Sequence, residues 1–150
     1  MQGLRRQGRI LALQLLYQAE IQKGFDAASA SAEHFWKSEK ASRKARAFAT
    51  ELVEATLANR EEIDRELTVV MRDWKLTRVS VVIRNLLRMS WCEMMILGET
   101  PFPVVVNEAV DLARKFMDEE SAKFVNSVLE NCWNASPARR KEGVAEVEPS

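Results

Sequence analysis

The sequence predicts an all-α protein of six or seven helices, divided into a front half over 4–72 and a back half over 75–134. Three observations lead there. Apolar residues recur every three or four positions along most of the chain, which is the period of a helix face. Gly (5) and Pro (4) are too sparse in 150 residues to supply the turns of a many-stranded sheet. Capping residues or glycines also stand where the apolar patterns begin and end.

The first helix is expected over residues 4–23, with Ile10, Leu13, Tyr17 and Ile21 on one face, Leu16 widening it, and Gly24 at its end. A short second helix over 28–39 would anchor on Phe35 and Trp36. Ser42 is the expected N-cap of a long third helix running to Val70 or Met71. Ala45, Phe48, Ala49, Leu52, Val53, Thr56, Leu57 and Ile63 keep its 3–4 spacing. Trp74 to Val79 read as a break and connector. From about Ser80 to Leu97 the chain is apolar on more than half of a helix circumference, which predicts a helix in the middle of a bundle, ended by Gly98. Residues 104–117 form the next, with Val106, Ala109, Val110, Ala113 and Phe116 inward and an Asp111–Lys115 pair outside. Asp118, Glu119, Glu120 and Ser121 open a last helix to about Trp133, because carboxylates suit a helix N-terminus. Phe124, Val125, Val128, Leu129 and Cys132 are its apolar stripe. The expected organisation is a single domain over 1–135 and a flexible polar tail over 136–150.

Lys+Arg and Asp+Glu both number 22, so net charge points to no particular partner. Cys92 and Cys132 lack metal-site spacing, one His cannot complete such a site, and both thiols are expected in the core of a protein in a reducing compartment. No apolar run reaches the roughly 18–20 residues of a membrane span. Gln14, Gln18 and Glu20 interrupt the N-terminal apolar stretch, so a cytoplasmic protein is expected rather than a secreted one. No phosphate-binding glycine loop occurs, and His34 and the cysteines have no sequence-adjacent partner for nucleophilic chemistry. The expectation is a non-enzymatic protein without cofactor.

Charge is uneven in one place. The first 23 residues hold four basic residues and one acid. Arg5, Arg6 and Arg9 crowd the opening turns of helix 1, where the macrodipole disfavours cations by roughly 0.3–1 kcal/mol each. Arg5 and Arg9 are i,i+4 and Arg6 lies about 100° round the helix, a cluster suited to phosphate. A frayed terminus carrying charge for solubility explains the same residues.

Four segments together resemble the NusB family of transcription antitermination factors. RRQGRILALQLLYQ is similar to its arginine-rich opening helix, and LLRMSWCEMMI to its central helix. TPFPVVVNEAVDLARKF and SAKFVNSVLEN resemble its last two helices, in family order and spacing over about 4–133. The resemblance implies a compact all-α fold of about seven helices in two small packed bundles. It implies a non-catalytic adaptor that pairs with NusE, a small-subunit ribosomal protein, and binds the single-stranded boxA element of nascent RNA within the transcription elongation complex. Carried residue by residue, it implies RNA contacts from Arg5, Arg6 and Arg9, and from Lys123 and Phe124 on the last helix. Phe124 lies on an apolar stripe, so core packing and base stacking both remain open for it. Where the family has an acid followed by a base at the NusE contact, this chain has Ile83 and Arg84. Ser127 replaces a usual glycine. Arg88 and the Asn107–Glu108 motif offer a structural ion pair between helices. The competing reading is a helical interaction scaffold or homodimer with weakened RNA or NusE binding. An RNA-recognition part of an enzyme is a third, disfavoured by the lack of a catalytic domain.

Overall fold

The structure, a computed structural model, describes residues 2–22, 42–72 and 74–136. Gly24 and the expected helix at 28–39 lie outside these residues, as do 137–150. Among the described residues there are six α-helices: α1 (Gln2–Gln22), α2 (Arg43–Ala58), α3 (Arg60–Val70), α4 (Val81–Cys92), α5 (Phe102–Phe116) and α6 (Glu119–Asn134). A 3-10 turn at Leu76–Arg78 joins α3 to α4, and a π-helical segment at Glu93–Leu97 extends α4.

The starts follow from local chemistry. Ser42 accepts a bond from Ala45 N (3.1 Å), Ser80 from Ile83 N (3.2 Å) and Asp118 from Ser121 N (2.7 Å). Each satisfies a backbone donor that the first helical turn leaves free. Gly98 closes the π-helical segment at φ 66°, a left-handed conformation that glycine adopts without penalty.

The expected long third helix is two. Asn59 stands between α2 and α3 at φ −115°, ψ 17°, and its side-chain amide donates to Ala55 O (2.8 Å). An Asn that bonds a nearby carbonyl offers the backbone an alternative to the helical ladder, and apolar spacing does not register that.

α4 is the centre of the molecule. It touches each of the other five helices, while α1 lies along α2 and α5 along α6. Leu86, Leu87 and Cys92 have no exposed surface. On α1 the buried face is Leu11, Ala12, Leu13, Leu15, Leu16 and Ala19, with Leu13 inward as expected. Tyr17 and Ile21, expected inward, are exposed, so the true face is turned toward Leu16. On α5, Glu108 and Leu112 are buried while Phe116 is exposed. Both thiols are free and buried, which pushes Cys92 up to about 11 and Cys132 up to about 12. Phe102 stacks on Trp133 with centroids 4.8 Å apart, fastening the start of α5 to the end of α6. Ser136, placed with the tail by sequence, is buried and its hydroxyl donates to Trp133 O (2.7 Å).

Candidate nucleic-acid interface

The three arginines at the start of α1 do not form one exposed cluster. Arg9 turns inward, with 5% of its side chain exposed. Its Nε and Nη2 donate to the two carboxylate oxygens of Glu93 at 2.9 and 2.5 Å, and Nη1 to Glu108 at 3.4 Å. Arg6 keeps 41% of its side chain exposed and makes a second forked pair. Its Nε and Nη2 reach Glu108 at 3.0 and 2.7 Å, and Nη2 also reaches Asp111 at 2.8 Å. These bonds hold the Arg6 guanidinium firmly in its charged form, its pKa raised above the usual value. Arg5 is exposed; its guanidinium lies 4.8 Å over the Phe48 ring and Nη1 donates to Thr100 at 3.4 Å.

Glu108 therefore bridges Arg6 and Arg9, and the charges continue outward. Asp111 also accepts from Arg114 (3.2 Å), which forks onto Glu119 at 2.7 and 3.1 Å. From Glu93 to Glu119 the signs alternate along α1, α5 and the start of α6. The Arg114 bonds draw Glu119 below the usual carboxylate range, while Asp118 is lowered by its bonds to Ser121. The expected Asp111–Lys115 pair gives way to this network, and Lys115 Nζ instead lies 5.6 Å over the Phe116 ring.

Sequence reading missed Glu93 and Arg114 and gave Glu108 another partner. Arg88 pairs with Asp64 through Nε (2.7 Å) and with Glu20 through Nη1 (3.0 Å), not with Glu108. One signal was present: Glu93 is a lone carboxylate within WCEMMI, and such a charge needs a buried partner.

On the last helix, Lys123 is exposed. Phe124 is half-buried against the core, its ring edge-on to Trp74 with centroids 5.7 Å apart. Core packing and access from outside thus coexist there. Ile83, the expected partner contact, is 3% exposed and belongs to the core, where an apolar side chain on α4 naturally packs. Arg84 is half-buried, bonded to Glu20 and to Val79 O (2.9 Å). The basic residue alone reaches the surface at that step.

No helix among the described residues is long and apolar enough to cross a membrane. A family model described as the NusB family matches residues 6–134. The chain is 43% identical over 127 residues to the transcription antitermination protein NusB of Heliobacterium modesticaldum, covering 83% of this chain and 60% of that protein. It is 37% identical over 145 residues to that of Koribacter versatilis, covering 93% and 95%. Among solved structures, T. maritima NusB superposes with a TM-score of 0.77 at 27% identity, covering 92% of this chain and 96% of that one. A structure of antitermination factors NusB and NusE in complex with dsRNA superposes at 0.74 with 28% identity, covering 91% and 100%.

Proposed function

We propose, because this chain belongs to the NusB family, that it is a transcription antitermination factor of the cytoplasm. It acts without catalysis, as an adaptor that holds boxA-type single-stranded RNA together with NusE in the transcription elongation complex. The observation that carries the site is the start of α1. Arg5 is exposed there with one 3.4 Å bond, to a threonine hydroxyl, among the described residues, and Arg6 beside it is half open. Two guanidinium forks side by side suit adjacent phosphates. Arg9, sealed against Glu93, holds the end of α1 in place rather than meeting RNA. Lys123 adds a further phosphate contact and the open part of Phe124 a stacking surface.

Each phosphate contact adds about −0.7 to the salt slope of single-strand binding. Replacing Arg5 and Arg6 by Ala should weaken binding of a boxA RNA and flatten its log–log salt slope by about 1.4. Fluorescence anisotropy across a salt series reads both; an unchanged slope would remove the two arginines from the interface.

A scaffold or homodimer that binds RNA weakly is the second reading, favoured by the carboxylates of Glu108 and Asp111 that already occupy Arg6. Sizing chromatography of the chain with NusE and boxA RNA separates the two, since only the adaptor forms a ternary complex.

A further inference from the structure

We infer that the groove beside Trp74 is a second RNA subsite, where a base of the single strand stacks on the indole and its phosphates meet Arg72 and Lys75. The inference rests on the proposed RNA-binding role and extends it to residues outside the start of α1.

The connector between α3 and α4 borders an open groove of about 720 Å³. Among its described lining residues five are basic and two, Glu20 and Asp64, acidic, in a protein of zero net charge. Those acids are engaged by Arg84 and Arg88 from α4. Arg72 and Lys75, both exposed, have no carboxylate partner among the described residues. Exposed cations at the mouth of a groove attract an anion.

Trp74 stands between them and is 58% exposed. An exposed indole beside a basic groove is a face on which a base can stack. Its backbone N–H is bonded to Met71 O (2.6 Å), which holds the turn, and its ring rests against Phe124 at 65°. The remaining indole surface is open beside two cations, the combination that sequence-tolerant single-strand sites use. Lys123 and Phe124 are adjacent on α6, so a strand that reaches them meets Trp74 next.

The test is anisotropy of a fluorescein-labelled single-stranded RNA carrying boxA, measured across a sodium chloride series. Trp74→Ala should weaken binding by roughly fivefold or more, the lower end for one stacked base, and Trp74→Phe should restore most of it. Arg72→Ala with Lys75→Ala should flatten the salt slope by about 1.4. Arg5→Ala with Arg6→Ala is the control for the first site. If that control weakens binding while the Trp74 and Arg72/Lys75 variants match the wild type, the groove is no RNA subsite and the first site stands. If the groove variants alone weaken it, the groove holds and the assignment at α1 fails. Loss of binding to purified NusE with RNA affinity unchanged would overturn the inference in favour of a protein site.

Discussion

Arg9 and Glu93 are two ions withdrawn from water, with 5% and 3% of their side chains exposed. Desolvation costs each of them several kcal/mol, and the forked bonds between them offset that only while both are present. Removing one partner strands the other. Arg9→Ala, or Glu93→Ala, is therefore expected to lower stability by about 3–5 kcal/mol. The double replacement Arg9→Met with Glu93→Met should cost clearly less than the two single losses summed, as urea denaturation will show. Arg6 differs in kind. It is half exposed, so its pairs with Glu108 and Asp111 are screened and exchangeable, and a phosphate competes for the same fork. Nothing in the residue types separates Arg6 from Arg9. Burial does, and burial depends on which side of α1 faces Glu93 in the π-helical extension of α4.

At the scale of elements, the position of α1 against α2 decides where Arg5 and Arg9 sit. The two helices approach closely at Gly8, where a Cβ would lie 2.7 Å from Phe48 Cδ2 and 3.1 Å from Ala45 O. Gly8→Ala would add up to about 1 kcal/mol of helix propensity. Overpacking against a fixed carbonyl costs about 1–3 kcal/mol. The balance is a lower thermal midpoint, measurable by circular dichroism. The same push displaces Phe48, the ring under both Arg5 and Arg9, so RNA affinity should fall with it. The starts of α2, α4 and α6 were legible from Ser42, Ser80 and Asp118, since capping is local chemistry. The break at Asn59 was not, because apolar spacing continues across it while the backbone of that one residue leaves the helical region. The buried face of α1 was misjudged for a related reason. Tyr17 and Ile21 fit the period as well as Leu15 and Ala19 do, and the partner helix makes the selection.

Across the whole molecule, two charge networks tie the halves of the chain. One runs from α1 through Glu108 to α6; the other joins Glu20 of α1 to Arg84, Asn85 and Arg88 of α4, and Arg88 to Asp64 of α3. Burial pushes Glu20 up, but bonds from Arg84 and Asn85 and the nearby guanidinium charges bring it below its ordinary 4.5. The folded state then holds this proton less tightly than the unfolded chain does. Stability from Glu20 is present above the ordinary value and is lost as pH falls through the lower, folded one. Urea midpoints should drop as pH falls below about 4.5. Glu20→Gln should start lower at neutral pH and follow a flatter curve.

The residue pattern alone determined the helical class, the apolar character that makes α4 central, the caps, and the family, because each is written in local spacing and residue type. The tertiary structure decided the rest. It sealed Arg9 and left Arg5 open, gave Glu108 to α1 instead of to Arg88, sank Ile83 into the core, and set Trp74 against Phe124 beside Arg72 and Lys75. Those outcomes depend on contacts between residues far apart in the chain. Solvent access and long-range pairing become defined only when the helices pack.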